Sequence, residues 1–388
     1  MKILFLHKWL IMGGIERILV NYLSILQDEK NLHIDILIDY DKENNVFHRL
    51  IPSGMSVDYL FNNHYCSYKE NLYAERNKNW LKKIKYKFFN FKEKMVKRKS
   101  LMDYISKGKY DIIINFSNHF DSYIIFEELT CPVIRWQHLA IDNNIREKDI
   151  NILNKYHKVI TICEDMKKQL IDFIPSDKIE VLFNPIEVNK VLKLSNESIP
   201  VEYEFGYLVQ VARLDKIKRH SDLITIFSRL ANSGRKEKLL IIGGGPEFHN
   251  LKNLINDLSL QESCYLLGEI ENPYPYIKNA KLFLHTSERE GLPTVLLESI
   301  ILNTPVVAMD CPTGPREILD NGRCGELVEM GNKEEFIYKT LVLLEEQEKI
   351  NYYKNNMNIH IKKFSEFEIK RKFLSLIYQM TGINNEKI

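Results

Sequence analysis

Short apolar runs alternate with amphipathic segments of helix length along nearly the whole chain, and this alternation constrains the fold more than any other feature. Segments such as ERILVNYLSIL and HSDLITIFSRL have helical spacing, and the apolar runs between them have the length of buried strands. This order predicts parallel sheets covered by helices on both faces. The predicted strands are KILFLH (2–7), HIDILI (33–38), DIIINF (111–116), PVIRWQ (132–137), KVITIC (158–163), IEVLF (179–183), YLVQVA (207–212), KLLIIG (238–243), CYLLG (264–268), LFLHT (282–286) and PVVAM (305–309).

The length of 388 residues and a polar stretch near the middle predict two domains. Residues 183–200 read FNPIEVNKVLKLSNESIP, and a new series of strands and helices follows them. We therefore expect an α/β protein with Rossmann-like, doubly wound domains in 1–188 and 189–365. A C-terminal helix in 366–388 is expected to pack back on the first domain. Ligands of open sheets bind at the carboxyl ends of the strands, so two such domains predict a cleft between them.

Composition excludes some classes of partner and compartment. The net charge of +2 gives no reason to expect nucleic acid as a partner. No stretch approaches eighteen apolar residues, so the sequence predicts no membrane span. The six cysteines are scattered, without the close pairs of zinc or redox motifs, and are expected to be reduced thiols of a cytoplasmic protein.

The stretch SEREGLPTVLLES (287–299) contains two glutamates, Glu290 and Glu298, with seven residues between them. Pro293 has φ preset for a helix and no N–H to lose in a first turn, so a helix is expected to begin there. The free amides of that first turn can bind an anion, and the two carboxylates can accept hydroxyl groups. The stretch therefore predicts a site for a ligand with both chemistries.

Two further segments carry anion-binding chemistry at strand ends. VARLDKIKRH (211–220) places Arg213 and Lys218 after a strand, where they either bind a diphosphate or are simply solvated. IIGGGPEF (241–248) has three glycines before a helix, more than a turn needs, so a ligand could approach the backbone closely. The spacing is not that of the dinucleotide fingerprint.

Three features of the first half have both a structural and a functional interpretation. IMGGIER (11–17) is a glycine turn at which a phosphate or sugar could sit, although many such turns bind nothing. His138, just past a strand, is either a structural hydrogen-bonding group or a group at the reacting centre. Asp39 and Asp41 have the D-x-D spacing of some metal-dependent enzymes, but a solvated loop is favoured.

Residues 76–99 contain eleven basic residues and one acidic residue, interleaved with aromatic side chains. Two interpretations are equally supported: a solvated helix face over the first sheet, or a helix lying on anionic lipid.

The motifs together resemble retaining glycosyltransferase family 4, of the GT-B fold. SEREGLPTVLLES followed by NTPVVAMD carries most of the resemblance, and VARLDKIK, IGGGP, CPTGPREIL and GRCGELV stand in the family's order. Two departures concern the identity of the sugar more than the activity: Leu-Pro replaces the common Phe-Gly after Gly291, and VAR replaces VGR.

The resemblance implies roles for the charged residues. Arg213 and Lys218 match the pair that holds the donor's diphosphate and stabilises the departing nucleotide. Glu298 matches the carboxylate that binds the ribose hydroxyls, and Glu290 matches the one near the transferred sugar. Further matching positions are Leu292, Pro293 and Thr294 in the amide-bearing turn, Gly13, Gly14 and Gly244 in the glycine loops, and His138 near the reacting centre.

The function implied is a metal-independent transfer without a cofactor. A hexose or N-acetylhexosamine would pass from a nucleotide-sugar donor, by default a UDP-sugar, to a glycan or lipid-linked acceptor in surface polysaccharide biosynthesis. The first domain would then be the acceptor side and the second the nucleotide-sugar side. The rivals are another enzyme of the same fold, such as a nucleotide-sugar epimerase or a phosphorylase, and a non-catalytic scaffold.

Overall fold

The computed structural model describes residues 1–11, 13–42, 45–139, 145–200 and 206–383. The chain forms two compact units. The first comprises Met1–Ile162, Lys167–Pro185 and the chain from Ile369 onward, and the second comprises Cys163–Met166 and Ile186–Glu368. By comparison, the expected first domain ends at 188, and the expected C-terminal helix begins at 366.

The first unit contains a seven-stranded parallel sheet with helices between its strands. The strands are β1 (Lys2–His7), β2 (His33–Tyr40), β3 (Ser56–Phe61), β4 (Ile112–Asn115), β5 (Val133–Gln137), β6 (Lys158–Thr161) and β7 (Ile179–Val181). The helices up to β7 are α1 (Gly14–Leu26), α2 (Asn63–Glu75), α3 (Trp80–Gly108), α4 (Glu147–Leu153) and α5 (Glu164–Leu170). The first residues of α5, up to Met166, belong to the second unit. The strand order is β3-β2-β1-β4-β5-β6-β7.

Continuous apolar runs form the strands because both faces of this sheet are covered. Residues 3–6 of β1 have no exposed surface, and β1 pairs in parallel with β2 on one side and β4 on the other. The order reverses at β1, and the carboxyl ends beside such a reversal are the usual ligand site of an open sheet.

The second unit contains a six-stranded parallel sheet of order β10-β9-β8-β11-β12-β13. Its strands are β8 (Tyr207–Val211), β9 (Lys238–Ile242), β10 (Cys264–Gly268), β11 (Leu282–His285), β12 (Val306–Met309) and β13 (Glu326–Val328). Its helices are α6 (Val188–Leu194), α7 (His220–Asn232), α8 (Phe248–Asp257), α9 (Tyr274–Lys278), α10 (Thr294–Ile301), α11 (Pro315–Ile318), α12 (Lys333–Glu345) and α13 (Gln347–His360).

The last helix, α14 (Glu366–Thr381), returns the chain to the first unit. The Phe373 ring lies within 6.5 Å of the rings of Phe5, Tyr22 and Trp136. Lys370 also pairs with Glu29 at 2.5 Å. The residues from 384 in the expected C-terminal helix lie outside the described residues.

The predicted fold class, two Rossmann-like, doubly wound α/β domains, is confirmed, and all eleven predicted strands are present, several with shifts at their ends. Two strands were not predicted, β3 and β13. Each pairs at the edge of its sheet. β3 is only partly buried, and β13 spans three residues, so neither has the long apolar run by which the others are recognised.

Candidate active site

The loop after β8 carries the two basic residues predicted to bind a diphosphate. Arg213 follows the strand by two residues, and its side chain is exposed. Within the described parts of the chain, no acceptor contacts its guanidinium. Lys218 ends a short turn of 3-10 helix over Lys216–Lys218, which the Asp215 carboxylate caps. Arg213 is therefore available to an anion, whereas Lys218 is engaged within the protein.

Three glycines after β9 pack against this loop. Gly243 and Gly245 have φ of 145° and 154°, and a side chain on either would collide with the backbone of the loop. The amide of Leu214 donates to the carbonyl of Gly244 at 2.8 Å. The glycines therefore bring the chain's own backbone into contact and support the loop that carries Arg213. Ligand binding by Gly244 stays a prediction.

Glu290 forms the polar centre of the second unit's site. Its Oε1 accepts a hydrogen bond from the Lys218 ammonium at 2.7 Å and lies 3.2 Å from Nε2 of His285. Among the described residues, no donor contacts Oε2. Burial raises the pKa of Glu290, but His285 and then Lys218 lower it more, to about 2. Glu290 is therefore a carboxylate at neutral pH with one oxygen open to a ligand.

The turn after Glu290 leads into α10 one residue later than predicted. Pro293 is the N-cap, with φ −69° and ψ 98°, and Thr294 is the first helical residue. Leu292 and Pro293 are buried and Thr294 is exposed. Glu298 is the fifth residue of the helix and is partly buried.

The late segment CPTGP packs against this turn. Gly314 has φ of 94°, and a Cβ there would lie 2.6 Å from the carbonyl oxygen of Gly291. The Thr313 hydroxyl donates to the carbonyl of Glu290. The segment therefore fixes the backbone that carries the Glu290 carboxylate.

In the first unit, His7 at the end of β1 and Glu16 in the first turn of α1 form a buried polar pair. Nε2 of His7 lies 3.3 Å from Oε1 of Glu16. A side chain on Gly13 would collide with the Glu16 carboxylate, whereas nothing lies within 4 Å of a Cβ built on Gly14. A side chain at 13 would therefore displace the Glu16 carboxylate, and Gly14 leaves open space at the start of α1. Met12, in the same predicted turn, lies outside the described residues.

His138 is buried between aromatic rings of the first unit. Its Nε2 donates to the carbonyl of Phe116 at 2.8 Å, which places the proton on that nitrogen. Nδ1 is buried without a partner among the described residues. Burial lowers the pKa of His138 to about 3, so the ring is neutral at pH 7. These contacts are structural, and a role at the reacting centre stays a prediction.

The expectation of a solvated loop is wrong for Asp39. Its side chain is fully buried, and its Oδ2 binds the ammonium of Lys97 and Nε2 of His119. The cause is that β2 runs two residues beyond the predicted strand, so Asp39 lies inside it and not after it. Asp41 is partly buried and accepts a hydrogen bond from Asn45 at 3.0 Å.

Segment 76–99 lies mostly on α3, whose two halves differ in surroundings. Leu101, Met102 and Ile105 belong to the core of the first unit. The N-terminal half packs on α2 through ring contacts such as Tyr73–Tyr86, at 5.7 Å. Its outer surface carries large apolar side chains that are 54–68% exposed: Trp80, Ile84, Phe88, Phe91 and Met95.

The structure brings together some of the predicted residues. Lys218 and Glu290 touch, and the turn through Pro293 follows directly. Gly13, Gly14 and His138 belong to the other unit. Within the parts of the chain that the structure describes, no helix is long and apolar enough to cross a membrane, and no group of three or more His, Cys, Asp or Glu residues is arranged to hold a metal ion.

Comparison with known proteins defines the class. Residues 196–359 match the family model described as Glycosyl transferases group 1, and these residues include the Lys218–Glu290 pair. This stretch of the chain matches the glycosyltransferases of this group, and the predicted family and enzyme class, a hexosyltransferase, are confirmed.

Similar proteins are found across the full length. The chain is 26% identical to an N-acetylgalactosamine-N,N'-diacetylbacillosaminyl-diphospho-undecaprenol 4-alpha-N-acetylgalactosaminyltransferase of Campylobacter jejuni, over 94% of this chain and 96% of that protein. It is 25% identical to a lipopolysaccharide 1,6-galactosyltransferase of Salmonella typhimurium, over 67% of this chain and 75% of that protein. The crystal structure of Anabaena Alr3699/HepE in complex with UDP has the same fold, with a TM-score of 0.75 and 17% identity over 98% of this chain and 100% of that one.

Sequence reasoning missed two histidines of these sites. His285 ends β11 five residues before Glu290, and His7 ends β1 before the glycine turn. The signal was present, since each is a polar residue that closes an apolar strand of a parallel sheet. Only the folded chain shows that each contacts a glutamate.

Proposed function

We propose that this enzyme transfers a hexose or N-acetylhexosamine from a UDP-sugar to a glycan or lipid-linked acceptor in surface polysaccharide biosynthesis, with retention at the anomeric carbon. The observation that carries the proposal is the Lys218–Glu290 ion pair, in which a cation and an open carboxylate oxygen lie side by side. The exposed Arg213 stands on the same loop as Lys218, after β8. A nucleotide-sugar presents a diphosphate, which cations bind, and sugar hydroxyls, which can donate to a carboxylate.

The charged residues would divide the work. Arg213 and Lys218 would neutralise the diphosphate, on which negative charge develops as the glycosidic bond breaks. Glu290 would accept a hydroxyl of the transferred sugar through Oε2, and Glu298 would accept the ribose hydroxyls. The turn through Leu292, Pro293 and Thr294 would add backbone amides at the start of α10, where an anion is favoured.

Retention and metal independence belong to the same proposal. Two cations can offset the charge of the leaving diphosphate without a divalent ion. The D-x-D carboxylate of Asp39 is committed to Lys97 and His119 and is not open to solvent. Activity in EDTA, with the α-anomeric product expected from an α-linked donor, tests both points. Loss in EDTA with recovery in manganese contradicts metal independence.

The relatives support the donor and acceptor. The Campylobacter relative is named for N-acetylgalactosamine transfer to a diphospho-undecaprenol-linked sugar, and the Salmonella relative for galactose transfer to lipopolysaccharide. The Anabaena protein of similar fold was crystallised with UDP. Incubation with radiolabelled UDP-hexoses, UDP-N-acetylhexosamines and GDP-sugars, with diphospho-undecaprenol-linked and lipopolysaccharide acceptors, tests the proposal. Isomerised sugar or phosphorolysis, with no transfer, would support the rival enzymes.

A peripheral contact with the cytoplasmic face of the membrane is part of the proposal. The exposed stripe on α3, formed by Trp80, Ile84, Phe88, Phe91 and Met95, follows a spacing of four, four, three and four residues, so it occupies one face of the helix. Basic residues flank it on both sides. They are Lys83, Lys87 and Lys94 on one side and Lys85 and Lys92 on the other.

An anionic bilayer matches this surface in charge and polarity. The apolar side chains would enter the boundary between headgroups and acyl chains, and each lysine near the surface adds about 1 kcal/mol of attraction. A solvated helix face, the other interpretation of the sequence, does not require five large apolar side chains in one row.

Sedimentation with vesicles tests this contact. Replacement of Lys83, Lys85 and Lys87 by glutamine should weaken binding to phosphatidylglycerol-containing vesicles roughly 100-fold at low salt, while donor hydrolysis is retained. The matched control replaces Lys30, Lys236 and Lys252, which are exposed and lie outside α3. Equal loss in the control, or equal recovery of the wild type with phosphatidylcholine vesicles, would support the solvated face.

A further inference from the structure

His285 is placed to hold Glu290 from a rigid element. It is the last residue of β11, pairs with Ala308 of β12, and its side chain is 1% exposed. Nε2 lies 3.2 Å from Oε1 of Glu290. A carboxylate only accepts, so Nε2 carries the proton. Nδ1 is buried and has no partner among the described residues, so within this part of the chain Glu290 is the imidazole's hydrogen-bond partner.

The same strand end also holds the backbone of Lys218. The hydroxyl of Thr286, the next residue, donates to the carbonyl of Lys218 at 3.0 Å. One strand end therefore fixes the Glu290 side chain and the turn from which the lysine extends. The lysine side chain itself is flexible and carries three donors that can be directed to different acceptors.

We infer that His285 is a positioning residue, which keeps the Glu290 carboxylate ionised and oriented when the Lys218 ammonium turns to the donor's diphosphate. The inference rests on the proposed function for its catalytic meaning. Without a second partner, Glu290 would be a nearly buried charge with nothing to offset it, and it would either keep the lysine or take up a proton. Both outcomes would remove a group that the donor needs.

A kinetic comparison tests the consequence for catalysis. His285→Leu should lower kcat by about 10- to 100-fold, the effect of one hydrogen bond to a charged group, with a smaller change in donor KM. His285→Gln, whose amide can take the place of Nε2–H, should recover most of the rate. In a Glu290→Gln background, His285→Leu should lower kcat further by less than about 3-fold, because the carboxylate that His285 positions is gone.

A titration that needs no donor tests the physical basis separately. Lys218→Met imitates the departure of the ammonium. In that variant Glu290 should remain ionised at pH 5, as read from the carboxylate bands of an infrared difference spectrum against Lys218→Met/Glu290→Gln. In Lys218→Met/His285→Leu it should be protonated. Cys311 also faces Glu290, but burial raises the pKa of its thiol to about 12, so it does not titrate in this range.

The outcomes separate this inference from the proposed function. Absence of sugar transfer in the wild type contradicts the proposed function and leaves the titration as the test of His285. Equal losses in the leucine and glutamine variants, or an ionised Glu290 in Lys218→Met/His285→Leu, would overturn the positioning role. Circular dichroism of each variant shows that the fold is retained.

Discussion

The carboxylate of Asp39 and the ammonium of Lys97 meet inside the first unit, with side-chain exposures of 0% and 1%. His119 contacts the same carboxylate oxygen, and Oδ1 of Asp39 has no partner among the described residues. The pair joins β2 to the core-facing side of α3. Loss of Asp39 would leave the buried Lys97 ammonium without the carboxylate that compensates its charge.

We expect Asp39→Ala to lower the free energy of unfolding by about 3–5 kcal/mol, measured by urea denaturation. The double variant Asp39→Ala/Lys97→Met should be more stable than the single variant, because no charge is left alone. Glu70→Gln, which breaks an exposed pair with Lys42, is the control and should cost less than about 1 kcal/mol. A double variant less stable than the single one would contradict this account.

Arg213 should act mainly in the transition state, because the leaving diphosphate gains charge there. Arg213→Ala should lower kcat by about two to three orders of magnitude, measured by sugar transfer at saturating donor. Arg49→Ala removes an exposed arginine of the first unit and should leave kcat unchanged. Wild-type kcat in Arg213→Ala would show that the diphosphate binds elsewhere.

Glu298 should supply binding that is equal in the ground and transition states. Glu298→Ala should raise the donor KM more than it lowers kcat, by an amount near 1.5–3 kcal/mol for hydrogen bonds to a charged group. Initial rates over a range of donor concentrations provide the test, and Glu298→Gln should lose less. A pure kcat effect would place this carboxylate at the reacting sugar and not at the ribose.

Glu317 should make the stability of the protein depend on pH. Burial raises its pKa from 4.5 to about 6. The folded pKa lies above the unfolded one, so the contribution of this carboxyl to stability is fully present below pH 4.5. That contribution is lost as the pH rises through 6, which lowers the free energy of unfolding by about 2 kcal/mol. Glu317→Gln can still accept a hydrogen bond from the amide of Glu164. The free energy of unfolding of this variant, relative to that of the wild type, should therefore be higher at pH 7.5 than at pH 4.

Urea denaturation at the two pH values measures this difference. Glu271→Gln, a change at an exposed glutamate, is the control for charge alone. An identical effect of Glu317→Gln at pH 4 and pH 7.5 would show that the carboxyl does not titrate between them.

The sheets could be predicted from the sequence because buried parallel strands leave continuous apolar runs. The strand Lys2–His7 was predicted to the residue. β3 could not be recognised in the same way, because an edge strand needs burial on only part of its surface. The fold class could therefore be recognised from local runs of apolar residues, whereas the strands at the sheet edges are recognised only from their pairing in the folded chain.

The site was predictable to the extent that it lies on one continuous motif. Glu290, Pro293 and Glu298 are read directly from SEREGLPTVLLES. The contacts of Glu290 with Lys218 and His285 join separate strand ends and appear only after folding. Asp39 was misplaced because two polar residues at the end of an apolar run resemble a loop, whereas their burial depends on Lys97, 58 residues away.

The return of α14 to the first unit makes residues 186–368 an insertion in the chain of that unit. Ile186 and Ser365, near the two ends of this insertion, form a parallel β-bridge, so the ends lie side by side. A short linker could join them, because closing a short gap costs little conformational entropy. Residues 186–368 are thus suited to excision from the chain of the first unit. Because their two ends already lie side by side, they could also be joined and new chain termini placed in a surface loop of the second unit.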